Sequence, residues 1–215
     1  MNYYKFIDFL ANLDKNSLPG VESQKKMVPI KMNPNVREFT PQENSKESAV
    51  LIILNIHNSL SMELIFTLRS SELRKHSGQI SFPGGRKEFG ETNVETALRE
   101  TQEEIGVSPN KLEVINEITQ LYVPPSNNII YPIIAYSKEK LEFNLNPSEV
   151  DEVIKTDFSL FLNKDNLKYS SNLYSNQSVP FPYWDIKHST PLWGATAIIL
   201  QEIIDLFSIY KKSGY

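Results

Sequence analysis

Cysteine is absent from this chain of 215 residues. Its absence excludes a disulfide framework, a thiolate zinc site and a thiol nucleophile. No apolar run approaches the roughly 20 residues that a helix needs to cross a bilayer, so no membrane partner is expected. Lys and Arg form no dense stripe and the formal net charge is −4, so nucleic acid is not an expected partner either. The 40% hydrophobic content is enough for one substantial core.

The N-terminal 48 residues differ in pattern from the rest. Apolar residues at helical spacing predict an amphipathic helix that ends near Leu18-Pro19-Gly20, with the apolar face Tyr3, Phe6, Ile7, Leu10 and Leu13. Asp8 interrupts this stretch and no small-residue cleavage signal is present, which favours a cytoplasmic protein over a secreted one. We predict that residues 1–48, the helix and a polar arm, pack on a domain formed by residues 49–215. The same helix face would also allow a homodimer.

The remaining chain predicts a single α/β domain. Ala49–Ile56 is a continuous apolar run and Met62–Arg69 follows a turn, a pattern typical of a β-hairpin. Residues 163–189 are rich in Asn, Ser, Tyr and Pro and predict an irregular excursion or a cap over a site. The last helix is predicted to begin with Thr190 as its N-cap and Pro191 as its first residue. Further extended segments are predicted at 79–82, 112–122, 129–136 and 152–156.

Three glutamates share one face of a predicted helix. At about 100° per residue, Glu100, Glu103 and Glu104 project to the same side. Such a cluster repels itself unless a cation lies within it, and ligands that offer only oxygen suit Mg²⁺ or Mn²⁺. Taken alone, the trio is equally typical of a solvated helix face. A second face is predicted to pack into a core through Val94, Leu98, Thr101 and Ile105.

The spacing around this helix is more specific than the trio. Residues 85–107 read GRKEFGETNVETALRETQEEIGV. The order Gly85, Glu91, Arg99-Glu100, Glu103-Glu104, Gly106-Val107, with its intervals, resembles the Nudix box, the motif of hydrolases that act on nucleoside diphosphates linked to another group. Thr101 departs from the pattern, because the family prefers an aliphatic residue there. The position lies on the predicted buried side, so the departure concerns packing more than chemistry.

A second motif precedes the first. The segment LIFTLRSSELRKHSGQISFPGG (residues 64–85) resembles the signature of coenzyme A pyrophosphatases within the Nudix superfamily. LPG at 18–20, NPSEV at 146–150 and WGATA at 193–197 are similar to the same subfamily. The resemblance implies an α/β/α sandwich with a mixed sheet and a catalytic loop and helix. It also implies cleavage of CoA, or of its derivatives, to 4′-phosphopantetheine and adenosine 3′,5′-bisphosphate.

Roles for single residues follow from this resemblance. It implies that Mg²⁺ or Mn²⁺ is held by helix carboxylates and by a carbonyl of the glycine turn, namely Glu100, Glu103, Glu104 and Gly84. The catalytic residues are predicted to be Glu100, Glu103, Arg99 and Glu149, with Glu100 or the later-loop Glu149 as general base and Glu152 as second choice for that loop. Arg99 is expected to orient neighbouring carboxylates, and direct pairing with the adjacent Glu100 is not expected. Glu91, at the helix entrance, is predicted to be structural support.

An acidic chain must supply local positive charge to hold a diphosphate. Basic residues cluster in sequence beside the carboxylate helix, namely Arg69, Arg74, Lys75, His76, Arg86 and Lys87. Arginine forks match phosphate oxygens, so Arg69, Arg74 and His76, together with Gly85, are the predicted substrate-binding residues. The competing interpretation is that these side chains only solubilise a loop or form structural ion pairs.

Two alternatives to a CoA diphosphatase stay open at this stage. One is a Nudix hydrolase for another nucleotide, such as ADP-ribose, a dinucleotide or an oxidised nucleoside triphosphate. The other is a Nudix-like module that binds a nucleotide as a sensor without catalysis. The complete carboxylate set disfavours the sensor, because a sensor does not need a metal site.

Overall fold

The computed structural model describes residues 2–29, 40–73, 76–170 and 180–214. Within these ranges the helices are α1 (Tyr3–Ala11), α2 (Gly20–Lys25), α3 (Asn93–Ile105) and α4 (Gly194–Ser213). The strands are β1 (Lys46–Asn58), β2 (Ser61–Arg69), β3 (Ile80–Ser81), β4 (Gly84–Arg86), β5 (Glu113–Glu117), β6 (Leu121–Val123), β7 (Asn128–Ser137), β8 (Val150–Asp157), β9 (Leu167–Ser170) and β10 (Phe181–Trp184).

A mixed sheet organises the described chain around β1. On one side β1 runs parallel to β7, while on the other it pairs antiparallel with two different strands. Its second half forms the predicted hairpin with β2, and its first half pairs with the short β4. The far half of β2 pairs with β3 instead, so the sheet divides into a fork at this point. The segment that joins β3 to β4 lies between the branches.

Alternating residues of β1 face two different cores, as expected of a strand in the centre of a sheet. Ile52, Leu54 and Ile56 pack on one side with α1 and α4. Ala49, Leu51 and Ile53 pack on the other side with the apolar face of α3. Both faces of the sheet are therefore covered by helices, and the predicted α/β/α sandwich with a mixed sheet is confirmed.

The start of the last helix was predicted wrongly. Trp193 is the N-cap and α4 begins at Gly194, three residues beyond Pro191. The preceding residues are extended because Leu192 forms two backbone hydrogen bonds with Trp184 of β10, at 2.8 and 3.1 Å. This tertiary pairing outweighs the local preference of Thr190-Pro191 for a helix start.

The N-terminal segment also differs from its prediction. The apolar face of α1 is buried as expected, at Tyr3, Phe6, Ile7 and Leu10, but α1 ends at Ala11 rather than near Leu18. A second short helix, α2, then packs against α4 through buried polar groups. Its sequence has no apolar periodicity, so the pattern that predicts helices gave no signal. In the described ranges no helix is long and apolar enough to cross a membrane.

Candidate active site

Helix α3 carries the predicted carboxylates, and its two ends are defined by the sequence. Thr92 is the N-cap, and its side chain and that of Glu95 exchange hydrogen bonds with each other's backbone N–H in a capping box. Gly106 ends the helix in a left-handed conformation. The Thr101 hydroxyl is fully buried and donates to the Ala97 carbonyl at 2.7 Å, so this departure from the motif is accommodated in the packing.

Three carboxylates converge beside this helix. Oxygen atoms of Glu100, Glu104 and Glu149 lie within 4.8 Å of one another. The loop that carries Glu149 is tied to the end of α3 by main-chain bonds, from the N–H of Asn144 to the Ile105 carbonyl and from the N–H of Asn146 to the Glu104 carbonyl, both 2.9 Å. Glu149 is therefore positioned by the backbone rather than by its own side-chain partners.

Glu104 is the most deeply buried member of the cluster, with 1% of its surface exposed. It accepts a hydrogen bond from the Gly84 N–H at 3.1 Å, and Arg69 Nη1 lies 3.5 Å from its other oxygen. Burial nevertheless raises the pKa of Glu104 to about 7, with repulsion from Glu100 and Glu149 acting in the same direction. Burial also raises the pKa of Glu100. The cluster therefore holds more negative charge than its surroundings neutralise.

Arg99 organises a second group of carboxylates on the outer side of α3. Its guanidinium donates to both oxygens of Glu91, at 2.7 and 3.1 Å, and to the Arg86 carbonyl at 3.1 Å. It also donates to Glu100 at 2.9 Å and to Glu103 at 3.0 Å. The expectation that Arg99 and the adjacent Glu100 do not pair is therefore wrong, because the long guanidinium reaches back over its own helix.

The predicted metal ligands fall into two places. Glu100 and Glu104 lie in the convergent cluster and Gly84 donates to it, whereas Glu103 pairs with Arg99 and its side chain is 55% exposed. A metal-binding role for Glu103 stays a prediction and requires it to leave Arg99. The second-choice Glu152 lies 3.3 Å from His188, outside the cluster.

A cavity of about 830 Å³ adjoins the cluster. Among its walls are four predicted site residues, namely Arg69, His76, Gly84 and Gly85. His76 adopts a positive φ of 56° and its Nδ1 lies 3.0 Å from Gln79 Oε1. Gly85 touches Glu100 so closely that a Cβ there would lie 2.3 Å from the carboxylate. The predicted substrate-binding residue Arg74 lies outside the described residues.

Sequence reasoning did not identify several residues that line this cavity. Ser48 of β1 is one of them, and its hydroxyl donates to Asn128 Oδ1 of β7 at 3.2 Å. Phe181 and Trp193 form a wall, with ring centroids 4.9 Å apart. Strand alternation could have placed Ser48 on the face of Val50, but the Phe181–Trp193 pair depends on a tertiary contact that no local pattern encodes.

The donor set suits a hard divalent cation. The convergent ligands are carboxylate oxygens only, which favours Mg²⁺ or Mn²⁺ over metals that prefer nitrogen or sulfur. Burial raises the pKa of both Glu100 and Glu104, and a bound cation would favour the ionised form of each. On both counts the residues fit such an ion.

Comparisons with known proteins agree with the motif. Residues 45–172 match the NUDIX domain family. Nudix hydrolase 15, mitochondrial, of Arabidopsis thaliana is 31% identical over 183 residues, which cover 82% of this chain and 62% of that protein. Peroxisomal coenzyme A diphosphatase NUDT7 of Mus musculus is 32% identical over 120 residues, covering 55% of this chain and 50% of the mouse protein.

The solved structures support the fold. The crystal structure of the Nudix hydrolase RenU from M. smegmatis superimposes with a TM-score of 0.55 at 15% identity, covering 77% of this chain and 87% of that one. This chain spans about three fifths of the length of the Arabidopsis relatives that it matches, which are 62% and 60% covered. Motif, fold and family match agree, and the chain belongs to the Nudix family.

Proposed function

We propose that this protein hydrolyses the diphosphate bond of coenzyme A or of a CoA derivative, with Mg²⁺ or Mn²⁺ as cofactor. The observation that carries the proposal is the convergence of Glu100, Glu104 and Glu149 beside a cavity that also presents Arg69. A diphosphate brings negative charge, so it needs both a cation among the carboxylates and a guanidinium.

The choice of CoA rests on the second motif and on the cavity. Arg69 and His76 belong to the segment that resembles CoA pyrophosphatases, and both line the cavity. The mouse relative named as a CoA diphosphatase supports the same choice. A volume of about 830 Å³ lies in the upper part of the range that is usual for ligand sites, which suits a large substrate.

Glu100 and Glu104 would hold the cation, together with the Gly84 carbonyl, and Glu149 would lie beside it. Such an ion, when bound, offsets the charge of the diphosphate and favours ionisation of the attacking water. Arg69 lines the cavity and its side chain is partly exposed, so its guanidinium would donate to a diphosphate oxygen. Gly85 leaves room for Glu100, since any side chain there would displace the carboxylate.

Glu149 is our candidate for the general base. Glu100 and Glu103 both accept hydrogen bonds from Arg99, so each already has a carboxylate oxygen engaged by a cation. Among the described residues, the Glu149 carboxylate accepts a hydrogen bond from the neutral amide of Asn146, at 3.3 Å. Its carboxylate takes the proton as water adds to one phosphorus, and the bond from that phosphorus to the bridging oxygen breaks.

Arg99 and Glu91 act as positioning residues. The Glu91 carboxylate holds the guanidinium on one side, so the other side presents its donors to Glu100. Glu91 also accepts hydrogen bonds from the Glu88 N–H and the Thr96 hydroxyl, which fixes the loop before α3. This arrangement restricts the rotamers that Glu100 adopts and pre-organises the cluster.

Product analysis tests the proposal. The protein is incubated with Mg²⁺ or Mn²⁺ and separately with CoA, an acyl-CoA, ADP-ribose, NADH and 8-oxo-dGTP, and products are identified by mass spectrometry. We expect 4′-phosphopantetheine and adenosine 3′,5′-bisphosphate from CoA at the highest kcat/KM. Faster cleavage of ADP-ribose or another nucleotide would replace CoA as the substrate while keeping the chemistry. Binding of a ligand without turnover of any would support the sensor.

A further inference from the structure

Most cations around the candidate site are already neutralised by the protein. Arg99 pairs with three carboxylates, Arg69 lies against Glu104, and Lys87 lies 3.5 Å from Glu47. Lys46 and Arg86 differ, because within the described ranges neither side chain has a carboxylate partner, and both are exposed. An acidic chain that leaves two neighbouring cations unpaired beside its site has positive charge available there for an anion.

The strand register places these two cations on the cavity side of the sheet. Ser48 pairs with Arg86 across β1 and β4, and Lys46 pairs with Asn128 across β1 and β7. Paired residues point to the same face, and so do residues two apart along a strand. Ser48 and Asn128 both line the cavity, so Lys46 and Arg86 extend the same face to the outer end of its floor.

Lys46 and Arg86 also share a shallow depression of about 410 Å³ at this end of β1 and β4. Three carboxylates line it as well. Glu91 is held by Arg99, and Glu47 pairs with Lys87 and accepts a hydrogen bond from the Tyr131 hydroxyl at 2.8 Å. Among the described residues this leaves Glu88 against two unpaired cations, so the depression favours an anion.

We propose that Lys46 and Arg86, with the neighbouring Ser48 and Asn128 side chains, form a second anion subsite that binds the 3′-phosphate of the substrate's adenosine. The inference rests on the proposed CoA diphosphatase function and names the part of the substrate that selects it. Arg86 supplies the planar fork that matches phosphate oxygens, and Lys46 supplies a point charge. The Asn128 amide nitrogen, which has no described partner, is a further neutral donor.

The proposed 3′-phosphate subsite lies at a distance from the diphosphate site. The diphosphate site is bounded by Gly84, Gly85 and Arg69, whereas Arg86 lies two residues further along β4. At roughly 3.4 Å per residue, that is about 7 Å from Gly84. A nucleoside 3′-phosphate stands apart from the 5′-diphosphate by the width of a ribose ring, so one substrate can reach both sites.

Comparison of CoA with 3′-dephospho-CoA tests this subsite directly, because the two substrates differ only in the phosphate in question. We expect the parent protein to favour CoA in kcat/KM by at least about tenfold, the value of one charge-assisted contact. Lys46→Met with Arg86→Met should reduce that preference to less than about threefold. The kcat/KM for 3′-dephospho-CoA should stay within about twofold of the parent value, since the diphosphate site is untouched.

Lys111→Met with Lys140→Met is the matched control, because it also removes two positive charges. Both lysines are exposed and lie outside both depressions, so their loss should not change the preference. Thermal unfolding of each variant shows whether the fold is retained, and these exposed side chains should alter it little.

Several results would overturn the subsite. An unchanged preference for CoA over 3′-dephospho-CoA in the double variant would show that another part of the chain binds the 3′-phosphate. An equal loss of both substrates would place Lys46 and Arg86 at the diphosphate instead. A parent that does not distinguish the two substrates would show that no such subsite operates.

Failure of the proposed function is recognised separately. If the parent turns over neither substrate, calorimetric binding of adenosine 3′,5′-bisphosphate and of adenosine 5′-monophosphate still measures the subsite. Tighter binding of the bisphosphate, lost in the Lys46→Met, Arg86→Met variant but kept in the Lys111→Met, Lys140→Met control, would support the subsite without the reaction. Equal binding of both nucleotides would reject the subsite as well.

Discussion

Two carboxylates of the same motif, Glu91 and Glu104, have opposite environments. Glu91 accepts two hydrogen bonds from Arg99, which lowers its pKa to about 2. Glu104 lies across α3 in the buried cluster, and burial raises its pKa to about 7 although Gly84 and Arg69 contact it. Glu91 has a close, two-pronged counter-charge built into the fold, whereas Glu104 has one longer contact with Arg69 at 3.5 Å.

This difference in pKa distinguishes a carboxylate of the motif that stabilises the fold from one that is available to bind a metal ion. Where a carboxylate holds structure, the chain provides the matching cation, as Arg99 does for Glu91. Where three carboxylates converge on fewer contacts from cations, as in Glu100, Glu104 and Glu149, the fold tolerates a repulsion that a bound divalent ion would relieve. The Nudix motif carries both kinds between Glu91 and Glu104.

Of the substitutions considered, Glu104→Gln should lower kcat most. It removes a proposed metal ligand, so we expect kcat to fall more than about 100-fold, consistent with the several kcal/mol that metal sites supply. Stability should move the opposite way. The pKa of Glu104 is raised from 4.5 to about 7, so its favourable contribution is present below 4.5 and is lost as pH rises through about 7.

At about pH 8 and without divalent ions, the Glu104→Gln variant should therefore unfold with a free energy equal to or about 1–3 kcal/mol above that of the parent. Urea titration measures this, and Mg²⁺ should raise the Tm of the parent but not of the variant. A clearly destabilised variant would show that the Glu104 carboxylate is structural.

Arg99→Met should remove the built-in counter-charge. It deletes five hydrogen bonds and leaves Glu91 without its cation. We expect the free energy of unfolding to fall by about 1–3 kcal/mol, because the side chain is only partly buried, and kcat to fall roughly tenfold as Glu100 loses its orientation. Arg99→Lys keeps the charge but loses the fork, so it should rescue only part of both.

Alanine substitutions at the adjacent glycines, Gly84 and Gly85, should affect kcat and the free energy of unfolding differently. Alanine at Gly85 would clash with the Glu100 side chain, which can move, so kcat should fall about tenfold with stability within about 1 kcal/mol. Alanine at Gly84 would lie 2.3 Å from the Ala49 carbonyl in a backbone with φ 149°, so the free energy of unfolding should fall by more than about 2 kcal/mol. Chemical denaturation and steady-state kinetics on both variants check this, and equal behaviour would contradict it.

Glu91→Gln should have the smallest effect, visible mainly in acid. Because the pKa of Glu91 falls from 4.5 to about 2 in the fold, its stabilisation is present above 4.5 and is lost as pH drops toward 2. The variant lacks this contribution, so its Tm should change less than that of the parent between about pH 5 and about pH 3. Glu142→Gln, an exposed change away from α3, is the control and should follow the parent.

Sequence patterns predicted the parts of the fold that depend on local periodicity. The hairpin of β1 and β2 and the buried face of α1 were predicted because alternation and helical spacing are visible along the chain. The beginning of α4 and the short α2 were not, because backbone pairing with β10 and polar contacts to α4 determine them. Distant partners of this kind leave no local signal.

The candidate site divides in the same way. The spacing of the motif identified Glu100 and Glu104, and resemblance suggested Glu149, which the structure places beside them. Sequence spacing put Glu103 in the same set, yet its side chain points to Arg99. A helical-wheel projection places all three carboxylates on the same face of the helix and does not distinguish them. Only the packing of the neighbouring strands shows which of them is buried.

The fork in the sheet also determines which part of the site can unfold locally. β4 joins β1 through three residue pairs, whereas β7 follows β1 through ten. Fewer ladder bonds mean that β4 and the loop leading into α3 can detach while the central strands stay paired. Amide hydrogens of Gly84–Arg86 should therefore exchange with deuterium much faster than those of β1 and β7. The candidate site is thus expected to open locally while the central strands β1 and β7 stay paired. A ligand bound at the site would slow amide exchange most at Gly84–Arg86.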